Sequence, residues 1–508
     1  MPRLNYYLII FSFLFYLFCS SVTLRDRILI DTFHRIERQS LSPPSSRQLF
    51  EGAMNGMFKT LDKYSYFTPA AGKKDYNDLL DNNYEGIGLI SSPSDDKKSI
   101  EIIYPLLDSP AYQAGLRSGD KVLAVNGKNL TENQVEEFSA LIKSLRDSEI
   151  EMTILPLDKT EPIKITIQTA PLNIDSVEGD SIDSDGGRNF ILENDNEIGY
   201  IRITSFSRRT ADEFGDALRQ LYTKQARGLI LDLRGNPGGY VNISVEIAKM
   251  LLQSVDNTKI IVSTKYKDGR IKKNYYGNEK SQICSLPIVA LIDGETASAS
   301  EILAAALQDY KRAVIVGSRS FGKGVVQEIY DLPANSGAFQ LTGVSYWRPS
   351  NKNIHKYENA TENDEWGVVP DFKCKLELQK WRTRAIDSIR TRRANTVCEN
   401  RDLYLNSYIK NIEQEIEKLR IEFNKLNKSE KNENNSTENN SEKNNPDNSA
   451  KNNNTKNESN GDSAQENNIP FKLQGESPYF DPQLDKAIEI LKRLISGESV
   501  LEVTESKE

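Results

Sequence analysis

The sequence predicts an α/β fold with a small β-rich module and helical segments at both ends. Three patterns carry that expectation. Over 197–372, apolar runs of strand length alternate with amphipathic helical runs. Over 84–172, short β-like runs are punctuated by turn dipeptides. On either side of these stretches, apolar residues recur at helical spacing.

The chain opens like an export leader. Arg3 supplies a short positive segment, 6–18 is an almost unbroken apolar run, and Ser20 and Ser21 are small residues suited to cleavage. The run is short for a membrane span. Cys19 invites a lipid anchor, but Phe18 stands where a bacterial lipobox carries a small residue. The order of preference over 1–21 is therefore cleaved signal peptide, uncleaved N-terminal anchor, lipid anchor. Over 22–82, Ile28, Leu29, Phe33 and Ile36, then Leu49, Met54, Met57, Phe58 and Leu61, recur at helical spacing, with two prolines between them. A pair of helices suited to packing or dimer contacts is expected there.

The module assigned to 83–172 carries β-like runs at 88–90, 100–103, 121–125, 151–155 and 163–167, and a helix at 135–145. The core assigned to 173–380 begins with a strand at 198–203, a helix at 211–221 and an apolar strand at 228–233 that runs into Arg234-Gly235-Asn236-Pro237-Gly238-Gly239. A helix at 241–252, a buried strand at 287–292, a helix at 299–308 and a strand at 313–316 follow. This alternation implies a largely buried sheet. The segment 381–426 is charged and helical. The Asn-rich stretch 427–470 has almost no apolar residues to offset its ordering entropy, so disorder is expected. In the final segment, 471–508, an amphipathic helix at 481–494 presents Leu484, Ala487, Ile490, Leu491 and Leu494.

Bulk properties narrow the function. A chain of 508 residues has room for two or three domains. Its net charge of -8 argues against a broad nucleic-acid surface. The four cysteines, Cys19, Cys284, Cys374 and Cys398, form no CxxC pair or metal cluster. A Cys374–Cys398 bridge is the one pairing considered. With only His34 and His355 available, histidine bases are scarce. Neither metal nor cofactor is called for.

The chemistry concentrates in Leu291-Ile292-Asp293-Gly294-Glu295-Thr296-Ala297-Ser298-Ala299-Ser300-Glu301-Ile302, a strand entering a small-residue turn and then a helix. Ser298 falls at the helix N-terminus, where backbone N–H groups are unsatisfied and the dipole favours negative charge. A nucleophile there has a ready oxyanion donor in the Ala299 N–H. The same residues also fit a capping box, Ser298-x-x-Glu301, so this run alone admits a purely structural reading. Lys323, in Ser320-Phe321-Gly322-Lys323-Gly324, follows the next strand. Turns after neighbouring parallel strands share one edge, so Ser298 and Lys323 are expected to meet. Serine and lysine then make a natural nucleophile–base pair. Lysine, with an ordinary pKa of about 10.4, must be desolvated to act as a base. Gln327 can hydrogen-bond the amine without adding charge. Competing readings are a surface lysine in a glycine loop and a phosphate site, although GxxxxGK[ST] is absent.

Together, 297–302, Gly322-Lys323-Gly324, Gln327 and Leu231–Gly239 resemble the carboxy-terminal processing peptidases, the tail-specific serine proteases, over roughly 49–378. Leu61-Asp62 with Ser65, and Gly367-Val368-Val369-Pro370-Asp371, belong to the same pattern. The resemblance implies a ClpP/crotonase-like core with Ser298 as nucleophile, Lys323 as base and Gln327 as its orienting partner. It also implies an oxyanion hole made by the backbone N–H groups of Ala299 and of Gly238 or Gly239. Gly235 stands where relatives often carry Asn, Ala305 where they often carry Gly, and Lys63-Tyr64 where Pro-His is usual. None of these touches the dyad. The Asn-rich insertion is peculiar to this chain.

Within the β-rich module, Glu85-Gly86-Ile87-Gly88-Leu89 resembles the carboxylate-binding loop of a PDZ domain, as do Ser109–Leu116, Gly119-Asp120 and 122–127. Backbone N–H groups in such a loop capture a terminal carboxylate, and the peptide adds as a strand beside 88–90. Ile87 and Leu89 would line the apolar pocket. The competing reading is that the glycines only make a turn.

The resemblance thus implies an exported serine endopeptidase that cuts proteins near their C-termini, with PDZ occupancy gating the site. The alternatives are a non-catalytic PDZ-containing binding protein on a peptidase-like scaffold and a crotonase-like acyl-group enzyme. Expected partners are protein C-termini, with a homodimer, a regulatory adaptor and membrane association through the N-terminus as further candidates and nucleic acid excluded. The expected location is the periplasm or cell envelope of a bacterium.

Overall fold

The computed structural model describes residues 23–94, 97–145, 148–183, 186–252, 259–277, 283–396, 404–406, 408–410 and 481–504. The expected leader, the Asn-rich segment 427–470, Cys398 and most of the helical extension past 396 lie outside the described residues. The chain divides into two compact units, one of 1–78, 265–272 and 325–345, the other of 79–264, 273–324 and 346–508.

In the first unit, helices Leu24–Gln39 and Ser46–Phe58 each start in a capping box, Thr23 with Asp26 and Ser45 with Gln48. Such reciprocal bonds satisfy two orphan N–H groups per helix. No residue of Leu24–Gln39 is buried, and Leu24, Ile28, Leu29 and Ile30 are exposed. Where helices alone were expected over 22–82, the structure adds a strand, Tyr66–Thr68, before a third helix, Ala70–Leu80. The strand pairs antiparallel with 338–340, which pairs in turn with Val325–Asp331. Phe67 is buried there, edge-on to Phe50 at 5.9 Å. A partner so distant in sequence leaves no mark in local periodicity.

The second unit contains both the β-rich module and the core. The module is a sheet in the order Leu89–Pro93, Ile100–Pro105, Lys121–Val125, Glu149–Leu155, Ile163–Gln168, packed over Ile102, Val122, Ile150 and Met152. The single helix expected at 135–145 is two, Glu132–Glu136 and Phe138–Ser144, because Glu137 leaves helical geometry at φ -108° and ψ 27°.

The core sheet runs Val177–Glu178, Asp195–Ile203, Gly228–Asp232, Ile288–Ile292, Ala313–Gly317. The last four strands are parallel and in direct register neighbourhood. Their carboxyl ends therefore deliver three loops to one edge: 233–240, 293–298 and 318–324. Helices Thr210–Thr223, Val241–Leu251 and Ala299–Asp309 pack on one another and on these strands. Another helix, Pro482–Ile495, packs on the sheet with Leu484, Ala487, Ile490 and Leu491 against Ile230, Val289, Leu291 and Val314. Its approach is close: a Cβ on Gly228 would lie 2.9 Å from Leu491.

A buried row of charge joins this helix to the core. Asp232, fully buried, accepts from Arg234 Nη2 at 2.6 Å, Arg390 Nη1 at 2.5 Å and the Tyr200 hydroxyl at 2.8 Å. Burial alone would favour the neutral acid, but the two guanidinium groups hold its carboxyl well below the usual carboxylate range. Arg234 also donates to Asp481 Oδ1 at 3.0 Å, and Asp481 caps the Pro482–Ile495 helix by accepting from the Gln483 and Leu484 N–H groups. Removing one partner from a buried pair strands the other charge, at a cost of roughly 3–5 kcal/mol. Asp481→Ala is therefore expected to lower the unfolding free energy of the full chain, extrapolated from urea denaturation, by about 3–5 kcal/mol, whereas exposed Asp268→Ala leaves it within experimental scatter.

Candidate active site

Ser298 sits between the Ile288–Ile292 strand and the Ala299–Asp309 helix, at φ 58° and ψ -115°. That backbone is strained for a residue with a side chain. What holds it is a web of bonds around the turn. Asp293 Oδ1 accepts from the N–H groups of Gly235, Glu295 and Thr296, each at 3.0 Å. Thr296 Oγ1 donates to the Leu233 carbonyl at 2.9 Å, and the Ala297 N–H donates to the Asn236 carbonyl at 2.9 Å. The Gly235–Gly239 loop and the Ser298 turn are thus one hydrogen-bonded body.

Glu301 ties this body to the lysine loop. Its buried carboxylate accepts from the Ser298 N–H at 2.9 Å, as a capping box requires. It also accepts from Ser320 Oγ at 2.5 Å, the Gly322 N–H at 2.7 Å and the Lys323 N–H at 2.8 Å. A simple cap reaches only its own helix, so the capping reading accounts for one bond in four. Burial pushes Glu301 up to about 7 against the pull of those donors.

Lys323 lies after the neighbouring strand, Ala313–Gly317, on the same sheet edge as Ser298. Its flanking glycines are needed for packing: a Cβ on Gly324 would lie 2.1 Å from the His355 nitrogen, and one on Gly322 2.7 Å from the Lys356 Cβ. Burial pulls the lysine below its ordinary pKa, and the charge of Glu301 opposes that shift. The direction is the one a general base requires.

The two candidate oxyanion glycines differ. A Cβ on Gly238, at φ 105°, would lie 2.8 Å from the Ser298 Cβ, so only glycine admits this approach. The Gly238 N–H, however, already donates to Asn236 Oδ1 at 2.9 Å. Ala299 is buried in the first turn of its helix. Gln327 lies in the other unit, on Val325–Asp331, where its amide donates to Thr342 Oγ1 at 3.3 Å. Thr342 in turn donates to Asp62 Oδ1 at 2.9 Å. Asp62, in the Leu61-Asp62 motif, also accepts from Ser65 Oγ at 2.7 Å.

In the module, Gly86 ends the strand Asn83–Gly86 and Leu89 begins the edge strand Leu89–Pro93. Among the described residues no strand covers the outer edge of Leu89–Pro93. Gly88, at φ 79°, approaches Ser109 so closely that a Cβ would lie 2.2 Å from its side chain. Ile87 was expected to line a ligand pocket. Its side chain instead lies in the module core, and Leu89 packs half-buried against that core.

Comparisons with known proteins identify the family. Residues 197–374 match the model of peptidase family S41, and 101–156 match a PDZ domain. A carboxy-terminal-processing protease of Bartonella bacilliformis is 31% identical over 356 residues, covering 68% of this chain and 74% of that protein. The chain belongs to the carboxy-terminal processing proteases of peptidase family S41. Carboxy-terminal processing protease CtpB of Bacillus subtilis is 32% identical over 64% of each chain. Among solved structures, a photosystem II D1 C-terminal processing protease is 24% identical, covers 70% of this chain and 94% of its own, and superposes with a TM-score of 0.39.

As a member of this family the protein is a serine-type peptidase with a PDZ domain, which favours the catalytic reading over the non-catalytic one. Sequence reasoning saw Glu301 only as a cap. Its reach to the lysine loop depends on strand order, although a carboxylate three residues after a candidate serine was a usable signal. Glu301→Gln places a donor against N–H groups whichever way the amide turns. The variant should keep its thermal midpoint within a few degrees and lose about 10²-fold in kcat/KM, the scale of an ångström-level misplacement. Wild-type kinetics in that variant would show the carboxylate is dispensable.

Proposed function

We propose that this protein is an exported endopeptidase that cuts other proteins near their C-termini through Ser298 and Lys323. The observation that carries the reading is the shared Glu301 carboxylate, which holds the turn of one and the loop of the other on a single sheet edge. Ser298 Oγ attacks the scissile carbonyl carbon while its proton passes to Lys323. The oxyanion is received by the N–H groups of Ala299 and Gly239, since that of Gly238 is engaged by Asn236. Lys323 returns the proton to the leaving amine, and water releases the acyl-enzyme by the same relay. Gln327 orients the amine, held by Thr342 and Asp62.

The PDZ domain receives the substrate. Gly86, Ile87, Gly88 and Leu89 offer backbone N–H groups to the terminal carboxylate, and the open edge of Leu89–Pro93 accepts the tail as an added strand. Occupancy of this edge gates cleavage. The leader-like segment supports export to a bacterial cell envelope. The exposed apolar residues of Leu24–Gln39 support a homodimer, since an isolated helix of that length is marginal in water. Sedimentation of the full chain should report twice the chain mass at micromolar concentration; a single chain mass would exclude the dimer. A regulatory adaptor is a further candidate partner.

The function is tested with an unfolded protein bearing an apolar C-terminus. Ser298→Ala and Lys323→Ala should each abolish cleavage while the proteins stay folded. Amidating the substrate's terminal carboxylate should slow cleavage by weakening capture. Because the base must be neutral, kcat/KM should climb with pH through a value below the ordinary lysine range. Cleavage that survives either alanine substitution would remove the dyad.

A further inference from the structure

Asp81 and Asn82 stand at the root of the PDZ strand Asn83–Gly86, and the loop 205–208 follows the core strand Asp195–Ile203. Both stretches belong to the same compact unit as Ser298.

The loop fixes the peptide that carries the proposed oxyanion donor. The Phe206 N–H donates to the Gly238 carbonyl at 2.9 Å, and the Tyr240 N–H donates to the Phe206 carbonyl at 2.8 Å. The Gly238 carbonyl and the Gly239 N–H share one trans peptide plane and point in opposite directions. Holding the carbonyl on Phe206 therefore aims the Gly239 N–H away from the loop. The same glycine turn abuts the serine, since a Cβ on Gly238 would lie 2.8 Å from the Ser298 Cβ. A displacement of 205–208 rotates this peptide plane and turns the donor.

The loop is held in turn from the PDZ side. Asn82 Nδ2 donates to Ser205 Oγ at 2.9 Å. Asp81 Oδ1 lies 3.3 Å from Arg208 Nε, and Arg208 Nη2 donates to the Tyr240 hydroxyl at 3.4 Å. Asn82 adopts φ 54°, a left-handed conformation that asparagine tolerates. Its carbonyl accepts from the Ile174 N–H at 3.0 Å, beside the pairing of Asn83–Gly86 with Ala170–Asn173. The backbone of Asn82 thus serves the PDZ domain while its side chain serves the core. At its other end the strand enters the 86–89 loop.

The geometry points to Asp81, Asn82 and Arg208 as positioning residues that aim the Gly239 N–H, so that tail capture at 86–89 and oxyanion stabilisation share one connected set of bonds. The inference rests on the readings of 86–89 as the tail site and of Gly239 as an oxyanion donor. A tail added beside Leu89–Pro93 steadies the strand Asn83–Gly86, and the steadied strand keeps Asp81 and Asn82 on the loop. An oxyanion donor acts where charge develops in the transition state, so occupancy acts on kcat. The link is modest. The Arg208 side chain is 70% exposed, and a pair screened by solvent contributes little. The expected coupling is about 10-fold, toward the lower end of the range for linked sites.

The test measures kcat and KM of the full chain on an unfolded protein with an apolar C-terminus, once with a free terminal carboxylate and once amidated. For the wild type, amidation should raise KM and lower kcat by about 10-fold. Asn82→Gly keeps the left-handed backbone and removes the bond to Ser205. Asp81→Asn keeps the shape and removes the charge. In each variant kcat on the free acid should fall to the value for the amide. The kcat on the amide, and the KM difference between acid and amide, should stay in place. A merely structural role would lower kcat on both substrates alike, and that result overturns the proposal, as does wild-type kcat on the free acid in both variants. Should Asn82→Gly fail to fold, as read from its urea midpoint, Asp81→Asn decides. A wild-type KM that ignores amidation would overturn the tail-site reading instead, and is distinguishable because it needs no variant.

Discussion

Four donors converge on the buried carboxylate of Glu301, and they come from two loops: the Ser298 N–H from one, Ser320 Oγ and the Gly322 and Lys323 N–H groups from the other. A carboxylate can accept about four hydrogen bonds, so this one is saturated. Each loop is rich in small residues. Sharing one acceptor sets their relative position. The strained backbone at Ser298 persists because Asp293, Thr296 and Asn236 hold its other side. The proposed base is lowered by burial, but the same carboxylate opposes the shift, so the lysine's basicity is a balance between two features of one structure.

The sheet edge is rigid from behind as well. Asp232 ends the strand that leads into the Gly235–Gly239 loop, and its carboxylate binds Arg234 and Arg390. Arg234 reaches Asp481, so a helix from the far end of the chain caps itself on the same network that steadies this loop. The apolar face of that helix covers Ile230, Val289, Leu291 and Val314. That helix is accordingly part of the core, despite the long polar stretch that precedes it in sequence.

A second helix, Lys380–Asn395, sits between the PDZ domain and this network. It contacts the strand Ile100–Pro105, while its Arg390 binds Asp232. Just past it, Thr396 Oγ1 hydrogen-bonds Ser118 of the PDZ domain at 3.0 Å. The helix thus touches both the peptide-recognition domain and the residue that anchors the glycine loop. That continuity is the physical basis on which tail capture and the proposed catalytic geometry can be linked.

Much of this was legible in residue order. Alternating apolar runs marked the strands and helices of the core, since a buried parallel sheet leaves that pattern in any sequence that forms it. Glycine-rich turns after three of those runs, with few histidines and a serine at a helix start, pointed to a serine–lysine chemistry. Other features depended on contacts between residues far apart in the chain. The strand Tyr66–Thr68 exists because 338–340 pairs with it. Ile87 enters the core because the module closes over it. The Gly238 N–H is engaged because Asn236 folds back two residues. Local periodicity records which face of an element is apolar. It carries no record of which distant donor meets which acceptor, because hydrogen-bond partners are chosen only when strand order and register bring them within reach.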